Sequence, residues 1–322
     1  MSYHAHLTFT PADDVLAHLR AALDEAVTLS FGDEVPQQTR ALVAGRPTLN
    51  QLRTPDQLEI LLIPFAGLPT ITQERLTHFP GIAVHNIHHN GAVTAELAIG
   101  LMIACARMII PAHNTFRTGD WSPRFTGRET AIMLNGKTAL IVGYGEIGQR
   151  VGAVCRALGM TTWGVRRQVS DAPDVFTSAD LPRLLPEADV VLVTLPGTPT
   201  TDGLLGASEL ALLPPRAILV NVGRAAAVDE QALYEALRAG RLHAAALDVW
   251  YSYPPDEASY SYHYPASYPF WELDNVIMSP HRGGGLHNVA VEYARMDGIA
   301  AALNAAARGA SVPHRVNLSA GY

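Results

Sequence analysis

The sequence predicts an α/β fold of two doubly wound domains, and three observations carry that expectation. Short apolar runs alternate with helix-patterned stretches along the whole chain, the pattern of parallel sheets covered by helices. In mid-chain a glycine-rich turn, Gly143-Tyr-Gly-Glu-Ile-Gly148, separates an apolar strand from a helical pattern. The 322 residues, 48% of them hydrophobic, suffice to fill two cores.

Candidate strands in the first hundred residues are 6–9, Val27–Phe31, 41–44, 60–64 and Ala83–Asn86. A helix is expected over 12–23, with Thr10 or Asp13 as its starting signal. Residues 94–110 form an almost wholly apolar helical pattern stopped by Pro111. A helix that apolar is normally buried between layers, and it reads as the connector between domains. Further strands are expected at Thr138–Val142, Thr161–Val165, 190–194, Ile218–Asn221, Ala244–Leu247 and 276–279. Helices are expected over 149–158, over 230–239 closed by Gly240, and over the alanine-rich 288–307, which returns to the first domain. Residues 250–271 hold six of the eleven tyrosines and four prolines without a helical or strand period, so they form a long loop. The expected domains are 1–110 with 285–322, and 111–284.

Composition narrows the partners. A formal charge of −7 with no long basic run argues against nucleic acid. The two cysteines, Cys105 and Cys155, lie in apolar helical patterns and read as buried thiols of a reducing compartment. The N-terminus lacks a basic segment followed by an apolar core. The apolar stretch 97–106, bracketed by Glu96 and Arg107, is too short to cross a bilayer. A soluble cytoplasmic protein without a membrane partner is expected.

The glycine turn carries the chemistry. Gly143 permits the tight turn, Gly145 lets backbone approach a pyrophosphate, and Gly148 lets the helix pack on the strand. The helix N-terminus offers unpaired N–H groups to phosphates. A dinucleotide site is therefore expected. Arg166 and Arg167 follow the second strand, 23 residues after Gly143, where an acidic residue would hold a bare ribose. Two guanidiniums suit a 2′-phosphate, so the expected cofactor is NADP(H), with NAD possible if both arginines are merely solvated. His85, His88 and His89 lie close in sequence, but no acidic or cysteine partner accompanies them and no metal is expected.

An ordered set of further motifs spans nearly the whole chain. It comprises Val93-Thr-Ala-Glu-Leu-Ala98, Leu134-Asn-Gly-Lys137, the glycine turn, Ala188-Asp-Val-Val-Leu-Val-Thr-Leu-Pro196, the run from Leu219 to Leu233, Ala246-Leu-Asp-Val249 and Ser279-Pro-His-Arg-Gly283. On these the chain resembles the D-isomer-specific 2-hydroxyacid dehydrogenases. The resemblance implies a Rossmann dinucleotide-binding domain inserted in a flavodoxin-like substrate domain, usually in a homodimer. It implies hydride transfer between a nicotinamide and a small 2-oxo or 2-hydroxy acid, with glyoxylate and hydroxypyruvate the obvious candidates. It places Arg224 on the substrate carboxylate and ketone and His281 as the acid/base, with backbone N–H groups of Phe65, Ala66 and Gly67 also on the carboxylate. Implied nucleotide contacts are Thr94, the Glu146 and Ile147 backbone, Pro196, Thr201, Val222, and Asp248 facing the carboxamide. The family's glutamate, 29 residues after the arginine, is here Tyr253, with Asp256 and Glu257 nearby as substitutes. A phenol orients the imidazole but brings no charge. The alternative is a dinucleotide-sensing protein with weak turnover.

Overall fold

Buried apolar runs become parallel strands in both halves of the computed structural model, which describes residues 2–125, 131–168, 170–285 and 288–318. The chain divides into two units, Met1–Asn90 with Gly285–Tyr322, and Gly91–Gly284.

The first unit holds β1 (Tyr3–Leu7), α1 (Asp13–Ala22), β2 (Val27–Phe31), β3 (Ala41–Val43), α2 (Leu49–Arg53), β4 (Ile60–Ile63), α3 (Thr70–Leu76) and β5 (Ala83–Asn86). After the second unit the chain returns as α11 (Val289–Ala307), which packs on α1. The sheet order is β2-β1-β3-β4-β5, all parallel. Strand β1 starts three residues before the expected 6–9 because its histidines are not solvent-facing. His6 is fully buried, with its ring nitrogens paired to Ser30 Oγ and the Gly32 carbonyl, each at 2.8 Å. Helix α11 starts where Asn288 accepts from the Ala290 N–H, and Asn304 bridges it to the Ala22 carbonyl and the Asp24 N–H.

The second unit opens with α4 (Gly91–Ala106), α5 (Ile109–Phe116) and α6 (Ser122–Phe125). Its sheet follows as β6 (Thr138–Val142), α7 (Glu146–Ala157), β7 (Thr161–Val165), β8 (Val175–Phe176), α8 (Leu181–Leu184), β9 (Val190–Val193), α9 (Ala207–Leu212), β10 (Ile218–Asn221), α10 (Glu230–Arg238), β11 (Ala244–Leu247) and β12 (Val276–Met278). The order is β12-β11-β10-β9-β6-β7-β8, again wholly parallel. Strand order reverses between β6 and β9, the switch point at which open α/β sheets take their ligands. Leu140, Ile141, Val190, Val191, Ile218 and Leu219 are buried on one face or the other, as expected for strands covered on both sides.

The apolar helix departs from expectation. It ends at Ala106, where Met108 adopts a left-handed φ of 50°, and α5 leaves at 63°. Pro111 does not stop a helix; it sits in the first turn of α5, where a missing N–H costs nothing. Helix α4 lies on β10, β11 and α7, so the division between units falls at Gly91 and not at 110. Cys105 and Cys155 are free and buried, and burial raises their thiols to about 12 and about 11.

Candidate active site

The glycine turn is built as its chemistry requires. Gly143 has φ 107°, and a β-carbon there would stand 2.8 Å from the Thr194 backbone at the end of β9. A side chain at Gly148 would collide with the Gly143 carbonyl oxygen, so helix and strand touch through these two residues. Gly145, by contrast, faces open space. The first amide to close α7 is that of Gln149, onto Gly145 O at 2.9 Å, so the Ile147 and Gly148 amides precede the first intrahelical bond. Open backbone, a left-handed turn and free helix-terminal donors fit a dinucleotide pyrophosphate. Arg166 and Arg167 follow β7 and are both exposed.

Two buried polar side chains at neighbouring strand ends then position Arg224 and His281. Asn221 closes β10 and is 1% exposed. Its oxygen accepts from the Gly223 N–H and its amide donates to the Arg224 carbonyl, both at 3.1 Å. That turn presents Arg224 at the surface, its stem along Gly197 and Nη1 donating to the Gly223 carbonyl at 2.8 Å. Asp248 follows β11 and is equally buried. Its carboxylate accepts from Ser279 Oγ (2.5 Å), the Arg282 N–H (2.7 Å) and the Gly283 N–H (2.8 Å). Thr94 on α4 donates to the Gly283 carbonyl at 2.8 Å.

These four bonds frame His281, which holds a left-handed φ of 54°. A histidine in that region is strained by about 1–3 kcal/mol and persists only where its surroundings over-determine it. Here the surroundings are the Asp248 and Thr94 clamp. His281 Nδ1 lies 2.8 Å from Tyr253 Oη, and the Trp250 N–H donates to the same oxygen at 3.2 Å. Trp250 also donates its indole N–H to the Ser279 carbonyl, tying the aromatic loop to the histidine turn. Desolvation lowers the His281 pKa, Asp248 opposes that, and the Arg224 guanidinium adds to it. Desolvation raises the Tyr253 phenol, which stays protonated and neutral at neutral pH.

The structure thus brings Arg224, Tyr253, Asp248 and His281 into one electrostatic neighbourhood within the second unit. The sequence-derived residues also have local hydrogen-bonding roles of their own. Asp248 and Thr94 grip the histidine turn. Thr201 spends its hydroxyl on the Pro196 and Thr198 carbonyls and on the Thr198 N–H. Val222 is buried, and its N–H serves the Val193 carbonyl. Asp256 accepts from Ser259 N–H and Oγ, and Glu257 lies in the same short turn. Glu146 heads α7 and pairs with Arg150. In the first unit Asn86 donates to the Ala66 carbonyl at 2.6 Å, and the Phe65 ring lies against Gly45. The three histidines separate: His85 Nδ1 pairs with the Pro313 carbonyl, His88 stacks on His314, and His89 faces Arg295 and Glu292. Sequence reasoning missed Asn221, Ser279 and Trp250 as positioning groups. Their signal was their place, at or just beyond strand ends next to the reactive residues.

Comparison with known proteins adds the family. The D-isomer specific 2-hydroxyacid dehydrogenase NAD binding domain matches residues 99–283. A glyoxylate/hydroxypyruvate reductase B from Pectobacterium atrosepticum is 30% identical over 309 residues, 91% of this chain and 92% of that protein. A D-3-phosphoglycerate dehydrogenase from Methanocaldococcus jannaschii is 35% identical over 242 residues, 73% of this chain, yet the match spans only 43% of that protein. Among solved structures, a D-isomer specific 2-hydroxyacid dehydrogenase from Xanthobacter autotrophicus Py2, in complex with NADPH and MES, shares the fold. Its TM-score is 0.80 at 23% identity, with each chain covered completely.

Proposed function

This chain belongs to the D-isomer specific 2-hydroxyacid dehydrogenases, and from that premise we propose that it reduces a small 2-oxo acid of the glyoxylate or hydroxypyruvate kind with NADPH. The observation that carries the reading is the placement of Arg224 after β10 and His281 after β12, on either side of β11 at the same sheet end, each held by its own buried clamp. The nicotinamide, when bound, supplies the hydride. Arg224 provides a fixed, bidentate cation for the carboxylate and the ketone oxygen, on which negative charge develops. His281, as imidazolium, gives the proton to that oxygen, and as neutral imidazole takes it back in the reverse direction. Tyr253 orients the ring. In the first unit the N–H groups of Ala66 and Gly67 donate no hydrogen bond among the described residues.

NADPH over NADH rests on the two exposed arginines after β7, which stand at the sequence position where an acidic residue would hold a bare ribose. The NADPH bound to the Xanthobacter protein is in keeping with this. A homodimer is supported by exposed Ile109, Ile110, Phe116, Trp121 and Phe125, an apolar patch along one segment. No single helix among the described residues is long and apolar enough to cross a membrane. Two free buried thiols suit a reducing compartment such as the cytoplasm. The test is a turnover screen of 2-oxo acids with NADPH and NADH. Reduction of glyoxylate or hydroxypyruvate with NADPH is expected. Tight NADPH binding without turnover of any 2-oxo acid would instead identify a dinucleotide-sensing protein.

A further inference from the structure

Tyr253 and His281 meet as two groups that each donate or accept, and the backbone around them breaks the symmetry. The Trp250 N–H already donates to Tyr253 Oη at 3.2 Å, filling one of its acceptor positions. The phenol still has its own proton to place, and among the described residues the acceptor within reach is His281 Nδ1, 2.8 Å away. The charged groups facing the imidazole are Asp248, beyond β11, and Arg224, beyond β10. Asp248 spends its oxygens on Ser279, Arg282 and Gly283, and the Arg224 Nη1 donates to Gly223. The phenol is therefore the one hydrogen-bond partner of the ring among the described residues.

We propose that Tyr253 fixes the proton of the neutral His281 ring on Nε2, with Nδ1 bare and accepting from the phenol, and that the same hydroxyl turns to accept from Nδ1–H when the ring is imidazolium. A carboxylate in this place can only accept, and so would hold the neutral ring in the opposite tautomer, protonated on Nδ1. A net hydrogen bond of ordinary strength biases the two tautomers by about twofold to tenfold. The consequence for turnover rests on the reading of His281 as the acid/base. When the imidazolium delivers its proton, the Nε2–H bond breaks and an O–H bond forms on the substrate. The ring is left with its proton on Nδ1, the less favoured site. It resets when Nδ1–H breaks and a new Oη–H forms, the original phenolic proton passes to water, and Nε2 takes a proton from water. Tyr253 is half-exposed, so that exchange has a path to solvent.

The test is a two-bond ¹H–¹⁵N correlation spectrum of the ¹⁵N-labelled full chain without substrate, at a pH above the His281 titration. The His281 signals are assigned by their loss in His281→Gln. In the unmodified protein Nε2 should resonate as a protonated nitrogen and Nδ1 as a bare one. Tyr253→Glu should interchange them, and Tyr253→Phe should move Nδ1 downfield as it loses its donor. A protonated Nδ1 in the unmodified protein would overturn the proposal, as would a Tyr253→Phe spectrum with Nδ1 unmoved. Should either variant fail to fold, the protonation site in the unmodified chain decides alone. Because no turnover is read, a failed substrate screen and a failed tautomer assignment remain separate results.

Discussion

Asp248 and Gly283 are matched to each other: Asp248 Oδ2 accepts from the Gly283 N–H at 2.8 Å, and a β-carbon on residue 283 would stand 2.7 Å from that same oxygen. The carboxylate cannot step aside, because Oδ1 is held by Ser279 and the Arg282 N–H. The Thr94 methyl closes the other side at 3.4 Å.

Gly283→Ala should therefore push on the turn that carries His281. Overpacking of this kind costs about 1–3 kcal/mol, to be read as a lowered midpoint in denaturant unfolding. Turnover of the 2-oxo acid substrate should fall with cofactor binding retained. Unchanged stability and rate would mean the clamp is not rigid.

Asn221→Ala tests the companion clamp. It leaves the buried Gly223 N–H without its acceptor, a loss of about 1–3 kcal/mol, and frees the turn behind Arg224. Steady-state kinetics should show KM for the 2-oxo acid rising, because Arg224 no longer arrives pre-positioned. If KM held while stability fell, Asn221 would be structural only.

For the reactive pair, Arg224→Ala should raise KM and lower kcat together, since one guanidinium serves both ground-state binding and polarisation. His281→Ala should act mainly on kcat, by roughly 10²–10⁴-fold for a lost general acid. An unaltered kcat in the histidine variant would remove it from the proton transfer.

The pH dependence follows from the lowered His281 pKa. Reduction needs the imidazolium, which is fully present below the lowered pKa and is lost as pH rises through it. The reductive rate should thus decline with a midpoint below the ordinary histidine value of about 6.5. Tyr253→Glu places a negative charge beside the ring and should move that midpoint upward. Superimposable profiles for the two proteins would contradict this.

Cofactor choice is read by titrating NADPH and NADH. NADPH should bind more tightly, and Arg166→Asp should remove a charge-assisted contact of about 1.5–3 kcal/mol from the preference. Tighter NADH binding by the unmodified chain would falsify the assignment.

Much of this fold is written in local patterns. The runs Leu140-Ile-Val and Val190-Val-Leu-Val read as strands because strands covered on both faces need nothing but apolar side chains. The break at Met108 was not legible, since nothing in Cys105-Ala-Arg-Met108 announces a left-handed residue, and Pro111 pointed to a stop three residues late. Arg224 and His281 were visible through their motifs. The 28-residue sequence separation of Tyr253 and His281 hid their contact, because it depends on how the aromatic loop folds back through Trp250 and Ser279. Asn221 and Asp248 were quoted in motifs, but sequence cannot show which backbone donors a buried side chain will meet.

The division between buried clamps and the exposed side chains beside them has an evolutionary consequence. Asn221, Asp248 and Thr94 are buried and hydrogen-bonded to backbone groups of the two turns, so a change at any of them is felt by the turn it holds. Arg166, Arg224, Tyr253 and His281 are exposed in the same unit. Surface substitutions are usually within about 0.5 kcal/mol of neutral for stability. A lineage can therefore change the exposed arginines after β7 one mutation at a time while the buried scaffold stays folded.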